Sequence, residues 1–464
     1  MISRALAVIA AVFASACTDP VITALPDDFT LTLSATSSSP GDSGALIGSA
    51  TTDTLHAPFN VLVDTGTPLT AYDDGSGKTR GRLGTFTLLA AGDIPRVKYD
   101  QVQLFVTSIA PVGFGDSPSA VSGVLGGDNL SRRTLFLDYR SAAPTVAVPS
   151  LLTASSCDLS VACQAVLPFA LAGGQESIQV GPDLYTYPAT RVLLDACLEP
   201  ISDPISQNVP CATDDPANPP PTRYRYLPSG VEVKMMVATG LPGVIIAKGA
   251  YDRLHGSGAG DAILAANPGS LHLPDSPSAV PVGITTLGDG MLSSALALVS
   301  HEGTLGPCGE LARTRRFRRS GPGDQIVGEK ACPTTQACGD RSNPPDNCSD
   351  FDDPVPAAAA VIELTKQIPA WVMDDTSDLL AGINADVRPS QPTVEAIIGT
   401  EVLQLIVSTI DYPSRRFVAR CVSDDDCLTY ARFSSEDSPC LAPGSINHSD
   451  TAQFRAGGAC TPAP

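Results

Sequence analysis

Phe59-Asn60-Val61-Leu62-Val63-Asp64-Thr65-Gly66-Thr67-Pro68 runs an apolar stretch straight into an acid, a hydroxyl and a glycine. Three successive apolar residues predict a buried strand over 59–63. A carboxylate at the end of such a strand is held rigidly, and a glycine two residues later lets the backbone turn close to the reacting group. The pattern returns at Lys234-Met235-Met236-Val237-Ala238-Thr239-Gly240-Leu241-Pro242. The two copies are 174 residues apart (238 − 64), so that Val63, Thr65, Gly66 and Pro68 meet Val237, Thr239, Gly240 and Pro242. Asp64 meets Ala238.

A second pair of segments repeats in the same order. Gly123-Val124-Leu125-Gly126-Gly127-Asp128-Asn129-Leu130 through Asp138-Tyr139 aligns without gaps to Ala396-Ile397-Ile398-Gly399-Thr400-Glu401-Val402-Leu403 through Asp411-Tyr412, at a constant spacing of 273 (399 − 126, 411 − 138). Each copy reads as an apolar strand, a glycine, a short helical turn and a second apolar strand ending in Asp-Tyr. Two different motifs repeated in one order predict two related lobes.

On these residues the chain resembles the bilobal, pepsin-like aspartic peptidase family. In that family each lobe supplies an apolar-apolar-Asp-Thr/Ser-Gly loop, and a later apolar-apolar-Gly segment threads beneath it. Ala238-Thr239-Gly240 with Val244-Ile245-Ile246-Ala247 and Tyr251-Asp252-Arg253-Leu254 is similar to the family's second-lobe loop, strand and helix. The resemblance covers roughly residues 29 to 420. It implies an all-β fold of two barrel-like lobes with few short helices. It implies catalytic roles for Asp64, Thr65, Gly66 and Thr67, a degenerate second loop at Ala238, Thr239 and Gly240, and supporting loops at Leu125-Gly126 and Ile398-Gly399.

The chemistry of such a site needs two facing acids. Two carboxylates brought together share one proton, so that one serves as base toward water while the other donates to the peptide carbonyl. Ala238 can do neither, and loss of one member of a cooperating unit costs on the order of 10⁴ in rate. The expected function is therefore a catalytically impaired peptidase homologue that binds a peptide or protein. The alternatives are an active endopeptidase with an unaligned second acid and a purely structural envelope protein. Asp195, which ends the apolar run Val192-Leu193-Leu194, is the candidate second acid.

The N-terminus gives the location. Arg4, an apolar run from Ala5 to Phe13 and Ala14-Ser15-Ala16-Cys17 read as a secretory signal, and small residues before a cysteine resemble a bacterial lipobox. Cys17 is the lipidation candidate, with an ordinary signal peptide as the alternative. Thr18 after it argues against retention at an inner membrane, so the expected place is the bacterial cell envelope, as an outer-membrane lipoprotein or in the periplasm or outside. Of the 13 cysteines, those other than Cys17 make an even set suited to disulfides in an oxidising compartment. Local spacing favours pairing Cys157 with Cys163, Cys197 with Cys211, Cys338 with Cys348, Cys421 with Cys427 and Cys440 with Cys460. No spacing is Cys-x-x-Cys and the histidines are scattered, so neither a metal nor another cofactor is expected.

Composition agrees. The 464 residues are 43% hydrophobic and 17% charged, enough for a large core, while 40 glycines and 41 prolines with many short β-rich runs indicate strands and turns. A net charge of −20 makes nucleic acid a poor partner, so a membrane link would rest on the lipid. The expected organisation is a signal over 1–17, a tether over 18–28, lobe one over 29–150, a junction over 151–175, lobe two over 176–420 with a Cys-rich insertion near 307–356, and a Cys-rich tail over 421–464. A monomer is expected, because the second lobe already fills the position of a partner. Pro40-Gly41-Asp42-Ser43-Gly44 resembles a serine-peptidase nucleophile motif but has no histidine before it, and a turn is the plainer reading. The run Arg313 to Arg319 reads as a solvated loop or a contact for an acidic partner, and 283–290 as a hairpin turn.

Overall fold

The computed structural model describes residues 22–24, 28–32, 47–78, 80–90, 94–106, 112–114, 117–119, 121–131, 134–139, 145–149, 165–180, 182–200, 230–241, 243–256, 286–292, 294–300, 306–311, 330–331, 349–350, 360–364, 366–422 and 426–430. Three large sheets dominate. A nine-stranded sheet forms the first lobe and a ten-stranded sheet the second. Beneath both lies a six-stranded sheet to which each lobe contributes, with Thr134–Asp138 paired antiparallel to Ile406–Asp411.

The predicted repeat is present strand for strand. Phe59–Val63 and Val231–Val237 are strands, each flanked in parallel by the later apolar segment. Gly123 lies beside Val61 and Leu125 beside Val63 in the first lobe, as Ala396 lies beside Met235 and Ile398 beside Val237 in the second. On the other side, Val124 faces Ala71 as Ile397 faces Ile245. The pairs thus keep the sequence offsets without a slip. A one-residue shift would turn every core side chain to the wrong face, so a shared register means a shared burial pattern. Val61, Val63 and Leu125 are buried in the same cluster as Met235, Val237 and Ile398, which makes the core continuous between lobes. The short helices Gly127–Leu130 and Thr400–Leu403 follow Gly126 and Gly399 at matching places.

Several expectations are corrected. The strand near Phe29 and the first-lobe strand Thr134–Asp138 belong to the shared sheet rather than to lobe one alone. The hairpin of Ser177–Val180 and Asp183–Thr186 stands on the edge of the first lobe's sheet, where Val180 pairs with Gly81, although lobe two was expected to begin near Glu176. The second-lobe sheet is entered at Arg191–Pro200. Cys197 is bonded to Cys308, not to Cys211. Cys197 sits inside a buried strand against Ala297 and Val299, and the helical turn 307–311 following that neighbouring strand brings Cys308 and Leu311 onto the same patch. The insertion is thereby pinned to the second lobe where it begins. Cys421–Cys427 is bonded as expected, but the tail does not start as a separate appendage, because Cys427–Tyr430 adds a strand beside Val361–Leu364. Thr286–Gly290 lies in a strand paired with Ile368–Met373 instead of forming a turn. Cys17, Ser43, the arginine run and the cysteine pairs 157–163, 338–348 and 440–460 lie outside the described residues.

Candidate functional site

The two loops that end Phe59–Val63 and Val231–Val237 meet between the lobes and clasp each other. Thr65 donates its hydroxyl to the Val237 carbonyl at 2.9 Å and Thr239 donates to the Val63 carbonyl at 2.7 Å. In return the Thr65 amide donates to Thr239 Oγ1 at 3.1 Å and the Thr239 amide to Thr65 Oγ1 at 3.3 Å. Both threonines are fully buried, so each hydroxyl satisfies backbone groups that water cannot reach. The supporting segments hold the loops from below. The Asp64 amide donates to the Leu125 carbonyl at 3.1 Å and the Ala238 amide to the Ile398 carbonyl at 3.0 Å.

Asp64 and Ala238 sit as mirror images. A Cβ on Gly240 would come 2.9 Å from the Asp64 Cβ and 2.7 Å from its carboxyl carbon, and one on Gly66 would come 2.8 Å from the Ala238 Cβ. Only glycine fits at either place, and Ala238 occupies the position from which a second carboxylate would face Asp64. Asp64 itself accepts from the Gly66 amide at 2.8 Å and, across the lobe boundary, from the Gly240 amide at 3.1 Å, both on Oδ1. Its Oδ2 accepts from the Thr67 hydroxyl at 2.6 Å. In the second loop the place of Thr67 is taken by Leu241. Lobe one thus brings an acid and its donors to the junction, and lobe two brings Ala238, Leu241 and the buried Met236.

Asp195 is not brought to this junction. It lies opposite Lys234 on neighbouring strands and forms an ion pair with it. Arg191, four residues earlier on the same strand, is the residue that touches the Asp64 loop. At about 3.3 Å per residue the strand carries Asp195 roughly 13 Å further on. The expectation of a second acid there is corrected, because the lysine across the ladder claims the carboxylate.

Two features were not legible as site residues. Arg191 is buried and donates Nε to the Gly66 carbonyl at 3.0 Å, while its Nη1 pairs with Asp386 Oδ2 at 2.5 Å. Asp386, at the end of the helix Asp378–Asp386, accepts on Oδ1 from the amides of Gly174, Gln175 and Glu176, each at 3.0 Å. Burial raises the Asp386 pKa, but the Glu176 amide, the Arg191 charge and the Gly174 amide outweigh it and hold the group below its ordinary value. One buried ion pair thus joins the first-lobe loop, the interlobe junction and a second-lobe helix. The only sequence signal was an arginine heading an apolar run.

The second feature is the repeated tyrosine. Tyr139 and Tyr412 both bury a hydroxyl that has no hydrogen-bond partner among the described residues. Burial foremost, and then the charge of Asp64, push both phenols up. The repeated Asp-Tyr therefore places two hydroxyls within electrostatic reach of Asp64, each following one of two neighbouring antiparallel strands of the shared sheet.

Among the described residues no group of three or more His, Cys, Asp or Glu side chains is placed to hold a metal ion, and no helix is long and apolar enough to cross a membrane. The geometry defines an all-β, bilobal, pepsin-like fold: two lobes with one strand register, two clasping loops and a shared sheet beneath. No family model matches the chain, and no curated protein matches it by sequence. Among solved structures it is similar to an aspartic proteinase from Irpex lacteus, at 10% identity over 85% of this chain and 97% of that one, with a TM-score of 0.36. It is also similar to Basic 7S globulin from soybean, at 11% identity over 85% and 94% of the two chains, with a TM-score of 0.38.

Proposed function

We propose that this chain is a catalytically impaired homologue of the aspartic peptidases whose cleft binds a peptide or protein at a bacterial cell envelope, anchored by lipid on Cys17. The observation that carries the reading is Ala238, whose Cβ stands against Gly66 as that of Asp64 stands against Gly240. A single carboxylate has no second acid with which to divide a proton, and the divided roles of base and acid are what peptide hydrolysis by this chemistry requires. The loops are otherwise kept, with the clasp, the glycines and the supporting strands all in place, as suits a surface retained for binding. The bonded cysteines and the signal-like N-terminus agree with an oxidising compartment.

The test is hydrolysis of a broad peptide library from acid to neutral pH by wild type, Asp64→Asn and Ala238→Asp. Wild type is expected to be silent and Ala238→Asp to cleave. Cleavage by wild type that Asp64→Asn abolishes would overturn the reading.

A further inference from the structure

We infer that the ligand of this cleft presents a primary ammonium group to Asp64, supplied by a lysine side chain; the inference rests on the cleft-binding reading above. A carboxylate offers about four hydrogen-bond acceptor positions, two on each oxygen. The amides of Gly66 and Gly240 take both on Oδ1, and the Thr67 hydroxyl takes one on Oδ2. One position on Oδ2 is left.

That oxygen is the one bonded to the less buried part of the loop. Its donor, Thr67, is half-buried, as is Leu241 at the matching place in the other loop, whereas Gly66 and Gly240 are buried. The carboxylate makes no ion pair among the described residues. Of the other buried aspartates, Asp386 has Arg191, while Asp411 accepts from the Thr134 hydroxyl and the Ser414 amide. Asp64 therefore brings a carboxylate with one open acceptor, and with no ion pair among the described residues, to the place where the two loops meet. A buried charge without a partner is costly, and a cation that reaches it recovers that cost.

The number of open positions selects among cations. A guanidinium binds carboxylates best through two parallel N–H bonds, and only one acceptor is free here; an ammonium is a point charge that needs one. The rest of the wall selects the stem. Where a peptidase would carry a second acid and its hydroxyl donor, Ala238 and Leu241 present carbon. An alkyl chain ending in an ammonium meets both halves, its methylenes on the second lobe and its charge on the first. The net charge of −20 attracts such a ligand from a distance.

The experiment uses the purified full chain, immobilised, and random octapeptide pools fixed at one position as lysine, N-ε-acetyl-lysine, norleucine or arginine, each with free or acetylated N-termini. In parallel, ligand-observed NMR follows n-pentylamine and its neutral twin 1-pentanol. Lysine pools are expected to be enriched about tenfold over acetyl-lysine pools on wild type, with the preference lost on Asp64→Asn. The amine, and not the alcohol, is expected to bind in an Asp64-dependent way. Asparagine keeps the size of the side chain and can still accept from Gly66 and Gly240, and the acetylated peptides test the charge without any change to the protein. If acetyl-lysine pools are retained as well as lysine pools, the ammonium inference falls and peptide binding stands. If only free N-termini matter, the lysine assignment is overturned. If pentylamine binds through Asp64 while no peptide pool is retained, the ammonium site stands and the peptide reading falls. Silence in both arms overturns both.

Discussion

The two loops at the lobe junction have one backbone and two chemistries. Around Asp64 the loop carries an acid, a hydroxyl at Thr67 and amide donors from both lobes. Around Ala238 the same turn carries methyl and isobutyl groups. Yet the bonds that shape the turns are matched: each threonine donates to the opposite strand, and each residue at the acid position donates its amide to the strand beneath. None of these bonds uses a carboxylate. The threonine clasp is therefore made without the acids, and an alanine at 238 changes the chemistry without loosening it.

The largest effect is expected from restoring the missing half. Ala238→Asp alone would place a carboxylate whose outer oxygen finds leucine where Asp64 finds Thr67. Ala238→Asp with Leu241→Thr supplies both, and its hydrolysis of a peptide library is expected to exceed wild type by on the order of 10³-fold or more. Equal silence in the double variant would show that the loops differ in backbone as well as in side chains.

Next in size is the ion pair behind the first loop. Arg191→Met removes the partner of a buried carboxylate and is expected to cost about 3–5 kcal/mol in denaturant unfolding. The depressed Asp386 group contributes stability that is present above its unfolded value of 3.8 and fades as pH falls through the folded value. Arg191→Met should therefore lose less stability than wild type on acidification below pH 4. An unchanged acid limb would mean that the pair does not act in the folded state.

A smaller, symmetric effect tests the clasp. Thr65→Val and Thr239→Val each strip a buried amide and a buried carbonyl of their partner, and each is expected to cost about 2–4 kcal/mol. A large difference between the two in thermal unfolding would break the equivalence of the lobes. The smallest effect belongs to Tyr139→Phe and Tyr412→Phe. Each removes a hydroxyl without a partner among the described residues, so stability is expected to change by less than about 1 kcal/mol. A cost above 2 kcal/mol would mean that each hydroxyl is bound by ordered water.

Much of this was legible because the repeat acts through local rules. Apolar runs ended by Asp-Thr-Gly or Ala-Thr-Gly fix strand, turn and offset, and the paired strands follow those offsets. What escaped depends on distance in the chain. Cys197 was matched to the nearer Cys211, but a cysteine inside a buried strand bonds to whatever the adjoining strand delivers, here Cys308 at a separation of 111. Arg191 and Asp386 are 195 residues apart and lie in no repeat, so nothing in either neighbourhood announces the pair. Asp195 looked like Asp64 because both end apolar runs; the lysine across the ladder that claims it is a property of pairing, which one strand cannot display. The hairpin at Ser177–Thr186 was placed with the lobe that follows it, and only its tertiary partner at Gly81 assigns it to the lobe before.

The sheet beneath the lobes has a consequence for synthesis. The strand Thr134–Asp138 pairs with Ile406–Asp411, so one of its edges has no native partner until residue 411 has left the ribosome. At about 5–20 residues per second, that leaves the edge open for roughly 15 to 55 seconds. During that interval the nascent first lobe carries a bare apolar strand edge, the kind of surface that pairs with whatever chain it meets. The protein's hazard is thus one of timing: the chain has to keep its half-built underside apart from other strands until its own last third arrives.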